Sequence, residues 1–309
     1  MKRLTYALVI FTSILFLGLT FSYNPLMANP TDEFDEEKDI FLNILTVNKE
    51  QYKMVKELVG DKHSVEYLLN NEKEIKDFKI NDNIINNILN MDLFIYNGLG
   101  YEKWVDEIID KSKNSNVGII NMSRGIRPMT TELKVENEEN PYYWLGFNEY
   151  KIALYNIKAS LQERDIKNRN YYEENYNTVV KELDDFLTKS KDELKKYKDY
   201  TVITNTDKFD YLFRDLGIQT IKAKDNNIKN IVNEKSIKES SIIFVYDNKL
   251  ENIEELKNKL GINCIYIGLE SEDDSKNLLI DNTTKLIEGI KKLNDNTNIN
   301  SWFLYLHKI

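Results

Sequence analysis

Few side chains in this sequence are equipped for chemistry. It has two histidines, His63 and His307, and one cysteine, Cys264. A histidine metal site, a Ser-His-Asp triad and a Cys-His pair each need partners that this inventory lacks. One cysteine allows no internal disulfide and no cysteine zinc cluster. His63 follows Gly60-Asp61-Lys62, a turn signal, so an exposed turn histidine is expected. Cys264 lies in a mostly apolar run, Ile262 to Leu269, and reads as a buried thiol acting as a small hydrophobe. Asn97-Gly98-Leu99-Gly100 lacks the third glycine of a dinucleotide fingerprint and the Lys-Ser/Thr of a P-loop, so it reads as a tight strand-to-helix turn. The adjacent acids Asp106/Glu107 and Asp184/Asp185 fall in helical stretches and point about 100° apart. They are solvated faces rather than acid–base pairs. The expectation is that the chain is not an enzyme.

What must position any binding groups is a chain of 309 residues with net charge −9. That length suits one large domain or two of moderate size. The acidic balance offers no field to attract phosphates, so no nucleic-acid partner is expected. Residues 1–28 combine Met1-Lys2-Arg3, an apolar run to about Tyr23 and the small residue Ala28. They read as a secretory signal or, given a run near the ~20 residues that cross a bilayer, as a membrane anchor. No cysteine follows that run to carry a lipid. Either reading makes the chain exported, extracellular or at the cell surface. Residues 29–40 are an acidic, solvated linker.

From Phe41 onward, short β-branched runs alternate with helix-length segments. The candidate strands are Leu42–Val47, Val65–Leu69, Leu93–Tyr96 and Val117–Met122, then Thr201–Asn205, Ile218–Lys222, Ile242–Tyr246 and Cys264–Ile267. Between the two groups, Asn148 to about Tyr197 is helical. Leu154, Ile157 and Leu161 form one stripe, and Tyr172, Tyr176, Val179, Leu183 and Phe186 another, with a polar break from Asp165 to Asn170. The expected fold is α/β: an N-terminal lobe at 41–147, a bridging helix region at 148–197 and a C-terminal lobe at 198–309. Each lobe would hold a mainly parallel four-stranded sheet with flanking helices. Two lobes so joined leave a cleft where strand ends converge. The apolar tail Ser301–Leu306 is expected to dock on a lobe.

Five motifs in order resemble the zinc- and manganese-binding solute-binding proteins of ABC transporters. They are Asn90 to Asp106 (NMDLFIYNGLGYEKWVD), Ser123-Arg124-Gly125-Ile126, Asn140-Pro141-Tyr142-Tyr143-Trp144-Leu145, Tyr171 to Asn175, and Thr204 to Leu212 with Leu216-Gly217. The resemblance runs from Phe41 to Leu293. It implies two α/β lobes bridged by a long helix, a monomer that binds Zn2+ or Mn2+ in the interlobe cleft, and delivery of the ligand to an ABC permease in the membrane. It also implies three histidines and one carboxylate as ligands. At those positions this chain has Lys76, Tyr142, Thr206 and Gly268, with Asp77, Tyr143, Asp207 and Glu270 nearby.

Four replacements matter chemically. An ammonium has no lone pair and repels a divalent ion unless deprotonated, and its free pKa is about 10.4. Threonine and tyrosine are weak ligands beside imidazole. Three cleft chemistries stay open. Lys76, Tyr142, Tyr143 and Thr206 suit a polar or anionic organic solute. Alternatively the cleft is filled by its own contacts, with Lys76 paired to Asp77 or Glu270. The third is an oxygen-only metal site from Asp77, Asp207 and Glu270. The expected function is an extracellular binding protein of the metal-transporter type with a degenerate metal site. The alternative is a surface interaction or adhesion-type protein that keeps the fold without transport.

Overall fold

The computed structural model describes residues 40–133, 138–197, 200–224, 227–247, 257–258, 262–270 and 277–306. The expected signal and most of the acidic linker (residues 1–39), and His307, lie outside the described residues. The tail residues 301–306 continue the last helix. Among the described residues, no helix is long and apolar enough to cross a membrane.

The first sheet contains β1 (Asn43–Asn48), β2 (Ser64–Leu69), β3 (Leu93–Tyr96) and β4 (Gly118–Asn121), in the order β2-β1-β3-β4. The second contains β5 (Thr201–Thr204), β6 (Thr220–Lys222), β7 (Ile242–Tyr246) and β8 (Asn263–Tyr266), in the order β6-β5-β7-β8. Every pairing is parallel. The two orders are the same pattern, although the sequence carries no detectable repeat. Central strands are buried on both faces. In β1 every residue after Asn43 is buried, and in β7 every residue before Tyr246. That explains why both read as continuous apolar runs and not as alternations. Cys264 is half-buried and not fully buried as expected, because β8 is an edge strand.

Asparagine starts three first-lobe helices. Asn48 caps α1 (Lys49–Val59) in a capping box with Gln51. Asn71 caps α2 (Glu72–Asp77), accepting from the Glu74 amide at 2.9 Å. Asn81 caps α3 (Asp82–Leu89) through the Ile84 amide at 3.0 Å. A short side-chain carbonyl satisfies an otherwise orphaned N–H at each helix start. The helix α4 (Val105–Ser112) then leads into β4.

Between the lobes, α5 (Phe147–Arg164) packs antiparallel-fashion in sequence order against α6 (Arg169–Leu194), which is 26 residues or about 39 Å long. In the second lobe the flanking helices are α7 (Asp210–Leu216), α8 (Ile228–Glu234) and α9 (Leu278–Leu306). The long α6 touches α1 of the first lobe and α7 and α9 of the second. The expected stripe is largely on its buried side: Tyr172 and Leu183 are buried, and Tyr176, Val179 and Phe186 pack half-buried against the same core.

The polar break between α5 and α6 is anchored from the first lobe. His63 is 4% exposed, not the exposed turn residue expected. Its Nδ1 accepts from the Leu42 amide at 3.4 Å, which assigns the proton to Nε2. Nε2 then lies 2.6 Å from the Tyr172 hydroxyl, which donates to the buried Asp165 carboxylate. Burial holds His63 below its usual pKa, against the pull of Asp165, so the ring is the neutral link of this chain. A turn signal marks where the backbone turns, but not what folds over it.

Removing one hydroxyl from this node leaves buried groups without partners. Tyr172→Phe is expected to cost about 1–3 kcal/mol, read as a lower urea midpoint with an unchanged slope.

Candidate functional site

In parallel sheets the side chains that can meet a ligand lie beyond the carboxyl ends of the strands, near the point where strand order reverses. Here the segments leaving β2, β5 and β7 meet one another. Glu72 opens α2 just after β2, Lys208 follows β5, and Asp247 follows β7. The Lys208 ammonium lies 2.7 Å from Glu72 Oε2 in the first lobe and 2.6 Å from Asp247 Oδ2 in the second. Its side chain is 7% exposed. The Tyr142 ring stands beside it, 5.4 Å from the ammonium to the ring centroid.

The Glu72 carboxylate collects three donors. Besides Lys208, its Oε1 accepts from Lys76 Nζ at 2.5 Å and from the Tyr142 hydroxyl. Burial alone would raise its pKa. The Lys208 charge, helped by Lys76 and Tyr142, outweighs burial and brings the pKa down to about 2. Lys208 is likewise held above its ordinary value: burial opposes its charge, but Asp247 and Glu72 more than compensate. Two cations, Lys208 and Lys76, balance two carboxylates, Glu72 and Asp247. Tyr142 is kept protonated by burial and by the negative Glu72, so it acts as a donor. Tyr101 and Trp144 complete the aromatic wall, at 5.6 and 5.4 Å from the Tyr142 ring.

The Tyr142 segment is placed by the turn after β3. Glu102 is buried and accepts from the amides of Asn97 (2.9 Å) and Gly98 (3.1 Å) and from Gln51 Nε2 (3.1 Å). Burial pushes its carboxyl up to about 7, against those hydrogen bonds. Gly98 has φ +84°, and a Cβ there would come within 2.2 Å of Asn121 Oδ1, so only glycine fits. Asn97 Nδ2 donates to the Pro141 carbonyl at 3.1 Å, next to Tyr142. The Asn97–Gly100 stretch is therefore a structural turn, with no phosphate cradle.

The sequence-derived candidates divide. Tyr142 is at the centre. Lys76 is at the edge, its side chain 53% exposed, and it pairs with Glu72 and not with Asp77 or Glu270 as expected. The reason is helical spacing: Glu72 and Lys76 are i,i+4 on α2, whereas Asp77 is the next residue around the helix. Thr206 is buried under Lys208, and its hydroxyl accepts the Lys208 amide at 3.3 Å. Asp207 is drawn beneath the cleft, 3.3 Å from Lys222 Nζ, and accepts the Leu133 amide at 2.9 Å. Tyr143 is fully buried and donates to the Asn97 carbonyl at 2.7 Å, within the first lobe. Gly268 is tied at both ends to the Asn282 side chain, at 3.1 and 2.8 Å. Asp77 and Glu270 are exposed. Asp77, Asp207 and Glu270 do not gather: among the described residues no three His, Cys, Asp or Glu side chains form a group able to hold a metal.

Sequence reasoning missed Glu72, Lys208 and Asp247. Two signals were available. Glu72 and Lys76 show an i,i+4 pair, and Lys208 is a charge set in a buried stretch, Thr204 to Phe213. Their meeting spans 136 residues and could not be read locally.

Space is limited beside this cluster. The cavity lined by Asn48, Glu72, Tyr101, Trp144 and Glu270 has about 20 Å3, enough for one water. A wider groove of about 710 Å3 lies on the first-lobe side, bounded by Lys76, Phe78, Trp104, Glu139 and Tyr142.

Comparison with known proteins gives a consistent result. The profile of the family described as zinc-uptake complex component A, periplasmic, matches residues 44–286. The high-affinity zinc uptake system protein ZnuA of Bacillus subtilis is 27% identical over 193 residues, 58% of this chain and 60% of that one. The chain thus spans 60% of the length of that relative. A metal ABC transporter substrate-binding lipoprotein of Lactococcus lactis is 23% identical over 257 residues, 78% of this chain and 81% of that one. Among solved structures, the metal-dependent lipoprotein YcdH of Bacillus subtilis superposes with a TM-score of 0.69 at 23% identity. It covers 82% of this chain and 99% of that one, a likeness of fold.

The Glu72 clamp has a definite pH window. A folded pKa of about 2 against the ordinary 4.5 means the carboxylate stabilises the fold fully above pH 4.5 and loses this as pH falls toward 2. At neutral pH Glu72→Gln is expected to cost about 3 kcal/mol. Urea unfolding at pH 7 and pH 3 checks this: the gap between wild type and variant should shrink at the lower pH.

Proposed function

The chain belongs to the zinc-uptake component A family of periplasmic binding proteins, and on that premise we propose that it is an exported solute-binding component of an ABC uptake system whose metal position has been taken over by an internal ion pair. The observation that carries this reading is the Lys208 ammonium between Glu72 and Asp247. It is in contact with or next to three of the four positions that match family ligands. Tyr142 flanks it, Lys76 shares its Glu72 partner, and Thr206 bonds its backbone.

The chemistry supports loss of the metal cargo. Lys76, Tyr142, Thr206 and Gly268 offer no imidazole and no carboxylate. The carboxylates that are present already neutralise a cation. Freeing them would require displacing an ammonium whose pKa is raised by the same two groups. A bare Zn2+ or Mn2+ approaching this point meets the positive charge of the Lys208 ammonium.

The role left to the protein is binding and presentation to a membrane permease, with no turnover. A small polar or anionic solute has room in the groove beside Lys76 and Tyr142, and not at the Lys208 point itself. The working unit is a monomer, and residues 1–28 direct its export.

Elemental analysis of the purified protein, with melting curves in Zn2+ and Mn2+, tests the reading. The expected result is substoichiometric metal and no shift. A site loaded at a hundred times its Kd would stabilise by about 2.7 kcal/mol, a shift of roughly 5 °C or more. A stoichiometric ion with such a shift overturns the proposal.

A further inference from the structure

The groove beside the Glu72–Lys208 clamp holds about 710 Å3, a volume that suits a small organic ligand. Its apolar part is aromatic. Phe78, the residue that ends α2, packs on Trp104 with ring centroids 4.7 Å apart, and Tyr101 meets Tyr142 at 5.6 Å. Phe78 and Trp104 are half-buried and line the groove, with Leu99 and Pro141 beside them. A wall of this kind takes a flat apolar body.

The charged groups of the groove have two signs and come from different segments. Lys76 on α2 and Lys103 in the turn after β3 are exposed, and so are Glu138 and Glu139 just before Pro141. The acidic segment is held in place: the Asn140 amide donates to the Met129 carbonyl at 2.7 Å and the Thr131 amide to the Glu138 carbonyl at 2.9 Å. Thr130 and Glu139 form an antiparallel bridge. Among the described residues, the Lys103, Glu138 and Glu139 side chains form no ion pair with one another or with other groups. Lys76 contacts Glu72 and keeps its side chain 53% exposed. Two cations and two acids therefore line one groove without neutralising each other. A plain anion would be drawn by the lysines and repelled by the glutamates, and a plain cation the reverse. A solute carrying both charges satisfies both pairs.

We infer that this groove takes a zwitterionic solute with an aromatic body, a free amino acid or a short peptide: its carboxylate meets Lys103 and Lys76, its ammonium Glu138 and Glu139, and its ring Phe78 and Trp104. This rests on the solute-binding role proposed above and narrows the class of solute. Exposed ion pairs each contribute little, so the aromatic contact carries most of the affinity and the charges set the orientation. Lys76 connects the solute to the clamp, because its ammonium is shared between the incoming carboxylate and Glu72. The volume exceeds what one amino acid fills, so the peptide is expected to bind more tightly.

The test is calorimetric titration of the full chain with L-phenylalanine, with the tripeptide alanyl-phenylalanyl-alanine, with its N-acetyl and C-amide forms, and with succinate. The tripeptide is expected to bind, and blocking either end to weaken it by about two- to fivefold. Lys103→Ala should shrink the effect of amidation and leave that of acetylation. Glu138→Gln with Glu139→Gln should do the opposite. Phe78→Ala should weaken every form by about tenfold. The charged variants alter exposed side chains, so unchanged melting shows that they remain folded. Whichever of phenylalanine and the tripeptide binds more tightly identifies the source of the zwitterion. Absence of binding by both at millimolar concentration overturns the inference, as do end-group effects that the variants leave unchanged or that appear at one end only. Succinate binding as tightly as the tripeptide also overturns it, while leaving the proposed function standing. Stoichiometric Zn2+ or Mn2+ on the wild-type chain counts instead against that function, so the two failures are distinguishable.

Discussion

Two carboxylates from different lobes share one buried ammonium, and the arrangement of the cleft follows from that sharing. Burial by itself works against the charge of the Glu72 carboxylate. With Lys208 between them, Glu72 is driven to about 2 instead. The carboxylate that results is a strong acceptor, and it recruits the Tyr142 hydroxyl and Lys76. Tyr142 in turn sets the aromatic wall of Tyr101 and Trp144. The pair is thus a lobe-to-lobe contact and the organiser of the groups around it. Buried ion pairs are seldom worth much against apolar packing. Their value here is positional: they join segments of the two lobes at one point.

The bridge limits what else the lobes can do. The long α6 rests on helices of both lobes, and the α5–α6 break is joined to the first lobe through His63, Tyr172 and Asp165. A second polar node lies where α1, α5 and the approach to α9 converge. Tyr150 donates to Glu57 at 2.8 Å and Asn277 donates to it at 3.2 Å, while burial lifts the Glu57 carboxyl to about 7. These two polar nodes tie the bridging helices to the first lobe. A cleft held by a lysine on a stiff bridge is suited to one geometry.

The fold shared with the relatives depends on residues other than those around Lys208. The sheets, the turn at Gly98 and the Glu102 staple carry the architecture. None of them touches the Lys208 point. Ligand positions can therefore change type without disturbing the strands that present them.

The strands were legible because central strands of a parallel sheet are buried on both faces and must be apolar throughout, as Leu93–Tyr96 and Ile242–Tyr246 are. The bridge was legible because a helix against two lobes needs a long stripe, and its break was marked by Asp165. That positions 76, 142 and 206 carry no histidine was also legible, from residue identity alone. The burial of His63 was not, because a turn signal carries no information about the 109 residues that separate it from Tyr172. Nor was the partner of Lys76, or the part played by Lys208. A charged residue has the same local signature whether it is solvated or paired across a cleft. Sequence determined the fold, because it rests on residue type and local period. Tertiary structure alone decided which charges meet in the cleft, because an ion pair is set by the distance between chain segments far apart in sequence.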